Sequence, residues 1–181
     1  MTDRIDANTF RQVLKSQYRA GLAMLRECIQ RSTDELWLKK DHRNAVWQIA
    51  YHALYFTHLY LHSGVSDFQP WKEHVSAVQH PGGIPGDPRP GSALPLVPPP
   101  YTRAQALAYW ELCDQFVDSA VDALDLDRTE CGFPWYKMSK LEHQLVNVRH
   151  LQHHVAQLAD RLRSALDIGV RWVGGQPSAR T

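Results

Sequence analysis

The sequence has little net charge, few cysteines and no long apolar run, and these absences exclude several classes of protein. Twenty Lys and Arg against nineteen Asp and Glu leave a formal charge of +1 at pH 7, so no strong field attracts nucleic acid or an anionic membrane. The apolar runs are well short of the ~20 residues that span a bilayer, and no signal peptide is evident. We therefore expect a cytoplasmic protein that binds neither nucleic acid nor membrane.

The three cysteines include no C-x-x-C pair and cannot all be joined in disulfides. We expect free thiols that pack in helix seams or loops, and no spacing marks one of them as a nucleophile; they are Cys28, Cys113 and Cys131. The 181 residues, 44% hydrophobic and 22% charged, suit one folded domain over 1–181. The end of the chain, 174–181, is expected to be frayed.

Four segments have the three- and four-residue apolar spacing of helices, and none alternates convincingly as a strand. Their approximate bounds are 9–30, 45–61, 102–124 and 139–167. Asn44 is the expected cap of the second helix, and Ser139 with Glu142 forms a capping box at the start of the fourth. The segment 32–37 indicates a short helical turn. The second helix is apolar nearly all round, so it should be buried.

Nine of the eleven prolines lie between positions 70 and 100. The Pro/Gly-rich stretch 63–101 is therefore a long crossover between the second and third helices, with room for one short helix at 71–79. It is either a packed lid or partner surface, or a poorly ordered insertion. Four helices with one long crossover indicate an all-α four-helix bundle.

Two helix faces bear on the function. The third helix carries an acidic stripe, which we expect to be a solvated face, with a cation-binding or basic-partner surface as the alternative; it comprises Glu111, Asp114, Asp118, Asp122 and Asp125. The apolar stripe of the fourth helix is the expected dry seam of the bundle; it comprises Leu141, Leu145, Val148, Val155, Leu162 and Leu166.

Ten histidines are the clearest source of chemistry. His150 and His154 are four residues apart, so their rings lie on one helix face and can share a divalent cation, although such pairs are also common on solvated helices. His52 lies on the apolar face of the second helix, and its buried imidazole needs a polar partner. That partner is either a backbone or hydroxyl group, or a metal ion shared with the pair.

Helical geometry complicates the metal hypothesis, because His150 and His154 are turned away from the apolar stripe. The hypothesis requires a polar cleft between the second and fourth helices, or use of the stripe in a dimer contact.

The other histidines have different expected roles. His143 could line the same cleft, and His153 either supports the site or is solvated. The pair His58 and His62 is expected at a surface or helix end. No role is assigned to the remaining histidines in loops, which are His42, His74 and His80.

Two motifs resemble a known family. Residues 147–158, Asn-Val-Arg-His-Leu-Gln-His-His-Val-Ala-Gln-Leu, resemble the last-helix signature of the DinB-like (YfiT-like) metalloprotein superfamily, roughly Asn-x-x-His-x-x-His-His-x-x-Gln-Leu. Residues 47–52 are similar to its second-helix motif, a tryptophan followed five residues later by a histidine. The turn at 33–36 and the long crossover also fit, so the resemblance covers most of the chain.

The resemblance implies an up-down-down-up four-helix bundle, a homodimer, and a divalent metal held by His52, His150 and His154. Family members with known activity include thiol-dependent S-transferases, mycothiol-dependent maleylpyruvate isomerase and proteins described as metal-dependent hydrolases. Zinc or nickel is the expected ion. Tyr55, His143 and Asn147 are candidates for orienting the outer ligands of the metal.

Three neutral histidines leave the charge of an ion uncompensated and one position open, as in catalytic metal sites. The first hypothesis is an enzyme of the S-transferase or isomerase type that activates a low-molecular-weight thiol or water against a small electrophile. A metal-dependent hydrolase is an alternative. Two other hypotheses remain open: a non-catalytic, dimeric metal-binding scaffold, and histidines that hold buried water without an ion.

Overall fold

The computed structural model describes residues 6–40, 42–76, 78–80 and 99–175. These residues form five α-helices, one 3-10 helix at Val65–Asp67 and no strand, so the predicted all-α class is confirmed for the described part of the chain. The helices are α1 (Ala7–Arg31), α2 (Asp34–Leu38), α3 (Val46–Tyr60), α4 (Arg103–Ala123) and α5 (Lys140–Leu166). Most of the proline-rich crossover, 81–98, lies outside the described residues, and so does 176–181 of the tail.

The helix starts follow the capping chemistry of the sequence, with one exception. Ser139 Oγ accepts from the Glu142 N–H at 3.2 Å at the start of α5, as predicted. At the start of α3 the cap is Ala45 rather than Asn44, so that prediction is wrong by one residue. Ala45 has no polar side-chain atom, and its N–H donates to Gln48 Oε1 at 2.8 Å instead. Asn44 contributes its backbone carbonyl, which accepts from Arg161 Nη1.

Helix α3 is buried along most of its length, as its all-round apolar sequence predicts. It packs against both α4 and α5, while α1 packs against the same two helices from the other side. Gly21 of α1 allows a close approach to α5, since a Cβ there would lie 2.7 Å from Leu151 Cδ2. No described helix has both the length and the apolar character needed to cross a bilayer.

The acidic stripe is exposed at Glu111, Asp122 and Asp125, as predicted for a solvated face, whereas Asp114 and Asp118 are half-buried. Arg19 of α1 lies between Asp114 and Asp118, at 3.5 and 2.9 Å, and Lys15 pairs with Asp122 at 2.7 Å. Three carboxylates of the stripe are therefore paired with the basic side chains of Lys15 and Arg19 in the same chain. These ion pairs join α1 to α4 along one side of the molecule.

The buried face of α5 differs from the predicted apolar stripe. Leu145, a member of that stripe, is 54% exposed. The residues that are buried include four polar side chains in the first half of the helix, and the whole set is Lys140, His143, Gln144, Asn147, Leu151, Val155, Leu158 and Leu162. The prediction holds at Val155 and Leu162, which are buried, and is wrong at Leu145 because it followed apolar residues only. His150 and His154 lie within reach of His52 of α3.

Hydrogen bonds to the neighbouring helices satisfy much of this buried polar face. Tyr18 OH of α1 donates to Gln144 Oε1 at 2.7 Å, and Gln144 Nε2 donates to the Tyr60 carbonyl of α3. Asn147 Nδ2 donates to the Thr57 carbonyl at 3.3 Å. Because these polar side chains form hydrogen bonds, their burial between helices lowers the free energy of unfolding only slightly.

One local prediction also needs correction. Residues 71–80, apart from the undescribed 77, form turns and irregular backbone rather than the expected short helix. The tail is held at its first glycine, because Gly174 accepts a hydrogen bond from Gln17 Nε2 of α1. The three cysteines are buried free thiols, as predicted.

Candidate metal centre

Helices α3 and α5 bring three imidazoles together across the interior. His52 Nε2 lies 3.0 Å from His150 Nε2, which in turn lies 3.0 Å from His154 Nε2. All three candidate ligand atoms lie within 4.8 Å of one another. His52 is 98 residues away from His150 along the chain, so only the folded chain brings the group together. The convergence expected from the sequence is present.

Hydrogen bonds on the far sides of two rings set which nitrogen faces the centre. The Gln79 carbonyl, from the end of the turn segment, accepts from His52 Nδ1 at 2.6 Å. Because a carbonyl can only accept, the proton of a neutral His52 is on Nδ1 and the Nε2 lone pair points inward. Gln157 Oε1 plays the same part for His154 Nδ1 at 2.8 Å. Such outer partners orient metal-binding histidines in general.

Burial keeps the three rings neutral. Burial and, to a smaller extent, the adjacent His154 together lower the pKa of His52 to about 4. Burial, followed by the charges of His154 and His52, lowers the pKa of His150 to about 3. The pKa of His154 is also lowered, chiefly by burial. At neutral pH all three are therefore unprotonated imidazoles, the form that binds metal.

The donor set fits a divalent cation. The Nε2 lone pairs of His52 and His154 both lie against Nε2 of His150. A proton on that nitrogen can be donated to only one of the two lone pairs at a time. A cation between the three nitrogens would satisfy them together. For tetrahedral zinc with Zn–N near 2.0–2.1 Å, ligand nitrogens are about 3.3 Å apart, close to the 3.0 Å observed for two of the pairs.

A cavity of about 650 Å³ opens beside the three histidines. His52 and His150 form part of its wall, so a molecule in the cavity would lie next to the candidate metal position. Aromatic side chains of α3 and of the segment before α5 form most of the remaining wall. The other lining residues are Tyr55, Phe56, Leu59, Tyr60, Gln79, His80, Trp135 and Tyr136.

The predicted supporting residues have different positions. Tyr55 lines the cavity. His153 is exposed, with its ring 5.0 Å from that of His154. His143 is fully buried among Tyr60, Phe133 and Tyr136 rather than hydrogen-bonded to a ligand histidine. Asn147 bonds to the backbone of α3, as described above.

The other histidines have varied positions. The pair His58 and His62 lies at the C-terminal end of α3, as predicted, but His58 is buried there: it is only 6% exposed and its Nδ1 lies 3.2 Å from Tyr109 OH. His74, given no role, lies 2.6 Å from Tyr51 OH through its Nδ1. His80, also given no role, lines the cavity.

Several residues at the site were missed in the sequence. Gln157 stands three residues after His154, a helical spacing that could have identified it. Gln79 acts through its backbone carbonyl, which no side-chain pattern can reveal. Trp135 and Tyr136 come from an irregular segment after α4, whose path to the cavity depends on the whole fold.

Comparison with known proteins supports a family assignment. A family model described as the DinB superfamily matches residues 17–158, which include all three histidines of the site. No curated protein and no solved structure gives a significant match.

Proposed function

The chain belongs to the DinB superfamily, and from this premise we propose that it is a metal-dependent enzyme in which His52, His150 and His154 hold one divalent ion. The ion is zinc or nickel, and the reaction joins a low-molecular-weight thiol to a small electrophile. One observation carries the proposal: three neutral imidazole nitrogens from two helices face a common point beside a cavity.

The chemistry of the donor set favours catalysis over a structural role. Structural zinc sites usually have four protein ligands, whereas three histidines leave one position for an exogenous ligand. The ion would act as a Lewis acid that favours the deprotonated form of a thiol or water in that position. The position of the cavity, against His52 and His150, is suited to such a ligand.

The residues of the chain orient the ligands and exclude water. The Gln79 carbonyl and the Gln157 side chain hold two imidazoles with their Nε2 atoms inward. Phe56 contacts two ligand rings, with centroids 4.7 Å from His52 and 5.5 Å from His150. This apolar cover limits competing water and strengthens electrostatic interactions at the site.

The proposed reaction needs no external oxidant or reductant. The thiol releases its proton to solvent water, and its sulfur forms a bond to the electrophilic carbon. A leaving group departs from that carbon with the electron pair of the broken bond, or, in an addition, the pair moves onto the conjugated acceptor and is then protonated. Hydrolysis of the electrophile, with water in place of the thiol, is the alternative outcome of the test.

We also propose the up-down-down-up order for the four long helices. The contacts run in opposite directions along α1 and α4 and along α3 and α5, but in the same direction along α1 and α5. The supporting contacts are Arg11–Leu124, Leu22–Trp110, His52–His150, Tyr60–Gln144, Tyr18–Gln144 and Cys28–Val155.

The same proposal includes a cytoplasmic location, expected from the sequence, and a homodimer, implied by the family resemblance. Light scattering on the purified chain tests the dimer.

The proposal is tested by elemental analysis of untagged protein. Near-stoichiometric zinc or nickel is expected, and His52→Ala and His154→Ala should each lose it. His153→Ala is the matched control, because this exposed histidine neighbours His154 but contributes no nitrogen to the group. Absence of metal after reconstitution with zinc and with nickel would overturn the proposal.

Turnover separates an enzyme from a scaffold. The metal-loaded chain is assayed with an electrophile in the presence and absence of added thiols. Thiol-dependent product that disappears in His52→Ala supports the transferase, and thiol-independent product identifies a hydrolase. Full metal occupancy without turnover of any electrophile tested would instead indicate a non-catalytic metal-binding protein.

A further inference from the structure

The wall of the cavity is aromatic and carries no formal charge among the described residues. Five of its side chains are Tyr, Phe or Trp, and none of the described lining residues is Asp, Glu, Lys or Arg. Its volume, about 650 Å³, lies within the range of roughly 300–1,000 Å³ typical of small-molecule sites. A wall of this composition gains most from contact with another apolar or aromatic surface.

Two phenols of the wall, those of Tyr55 and Tyr60, remain neutral. Burial raises the pKa of Tyr60 and of Tyr55 above the ordinary value for a phenol. Tyr55 and Tyr60 therefore supply no negative charge at neutral pH, and the described wall has no lysine or arginine to receive a carboxylate. Away from the proposed ion, an anionic ligand would lose its hydration without gaining an opposite charge from the side chains of the described wall.

Trp135 is placed as an aromatic platform at the solvent side of the cavity. Its side chain is 54% exposed, yet its Nε1 donates to Tyr60 OH at 3.2 Å. The indole also packs on Phe133, with ring centroids 5.7 Å apart. An exposed tryptophan held by a hydrogen bond loses little conformational freedom when a ligand stacks on it.

We propose that this cavity binds an uncharged aromatic group of the electrophile, stacked against Trp135 and covered by the tyrosine and phenylalanine rings of α3. The inference rests on the proposed function for the identity of this group as the electrophile. It predicts that aliphatic dicarboxylates are poor ligands. Aromatic stacking and apolar burial, rather than ion pairing, then determine which substrates reach the histidine centre.

The test compares two non-reactive probes on one sample of the purified full-length chain, whose metal content is measured first. The probes are 4-nitrobenzyl alcohol, a neutral aromatic, and glutarate, an aliphatic dianion. Ligand-observed NMR titrations should show the aromatic probe binding about tenfold more tightly than glutarate. Trp135→Ala should remove most of this preference, whereas Trp172→Ala, which removes a tryptophan that is 71% exposed and does not line the cavity, should retain it.

Two further variants keep the result interpretable. Trp135→Phe retains a ring but lacks the indole N–H, so it should bind nearly as well as the parent chain. Trp135→Arg introduces a cation and should shift the preference toward glutarate. Circular dichroism melting confirms that each variant is folded. Equal binding of the two probes to the parent chain, or a preference unaffected by both Trp135→Ala and Trp135→Arg, would overturn the inference.

Failure of the inference and failure of the proposed function give different results. A chain that binds the aromatic probe at Trp135 but takes up no metal supports the cavity assignment and contradicts the metal-dependent enzyme. A metal-loaded chain that binds no aromatic probe contradicts the cavity assignment alone.

Discussion

Single hydrogen bonds decide how the histidines of the site present their nitrogens. Gln157 Oε1 accepts from His154 Nδ1, and without it the ring could turn or adopt the other tautomer. His150 has no such partner among the described residues, where its buried Nδ1 makes no hydrogen bond. The two outer partners, Gln79 and Gln157, therefore supply the observed orientation of the site.

Gln157→Ala should weaken metal binding without unfolding the chain. Loss of an outer hydrogen-bond partner generally costs about 10- to 100-fold in metal affinity. Gln157 is exposed, so the helix should tolerate alanine. Competition with a chromophoric chelator measures the affinity, and Gln152→Ala on the same helix serves as the control. An affinity equal to that of the parent chain would show that Gln157 does not orient His154.

His143 should make the fold sensitive to acid. Its side chain is fully buried, and both ring nitrogens lack a hydrogen-bond partner among the described residues. Burial and, to a smaller extent, the positive charge of Lys140 together lower its pKa to about 4. The other titratable groups packed on the ring are the phenols of Tyr60 and Tyr136.

The sign of the effect follows from linkage. Because the folded pKa lies below the unfolded value of 6.5, the unfolded chain binds more protons between these values, and stability falls as pH drops from about 6.5 to 4. His143→Leu should reduce this fall by up to about 3 kcal/mol. Urea unfolding at pH 7 and pH 4.5 measures it, with His153→Leu as the exposed control. An unchanged fall in His143→Leu would contradict the prediction.

At the scale of helices, the ion pairs that α4 makes with α1 and with α2 differ in their expected contributions. Arg19 is 13% exposed and serves two carboxylates, whereas Arg103 pairs with Asp34, whose side chain is 85% exposed. Arg19→Met should lower the free energy of unfolding by about 2 kcal/mol, because two neighbouring carboxylates lose their counter-charge. Arg103→Met should lower it by less than about 1 kcal/mol. Urea denaturation of both variants checks the order, and a larger loss in Arg103→Met would contradict it.

The positions of the helices were predictable wherever a single local signal, such as apolar periodicity or a capping residue, determines them. Apolar periodicity placed α1, α3, α4 and α5, and the Ser139 cap started α5 as expected. The buried face of α5 was not predictable in this way. Gln144 and Asn147 are buried because Tyr18, Tyr60 and Thr57 provide partners from other helices, and such partners are known only after packing.

The same limit applies to the site. The i, i+4 pair and the apolar surroundings of His52 were sufficient to bring the three histidines into one hypothesis. The carbonyl of Gln79 and the platform of Trp135 come from irregular segments, where backbone direction depends on tertiary contacts rather than local sequence. The long crossover is thus part of the site, at least through Gln79.

For the whole molecule, the site links parts of the chain that are distant in sequence. His52 of α3 and His150 of α5 meet only in the folded state, and the same is true of His52 and Gln79 in the crossover. An unfolded chain presents His150 and His154 as a weak pair without the third nitrogen. A metal ion that requires all three must therefore bind the folded state preferentially, and its binding free energy adds to stability.

Metal removal should consequently destabilise the entire fold. At a free zinc concentration about 1,000 times the Kd, the bound ion should raise the free energy of unfolding by about 4 kcal/mol, and excess chelator should abolish this gain. His52→Ala should lose most of the zinc-dependent gain, because only the weak pair on α5 remains, while His153→Ala should retain it. Urea unfolding with zinc and with chelator measures the difference. An equal gain in His52→Ala would show that α5 alone binds the ion and that α3 is not part of the site.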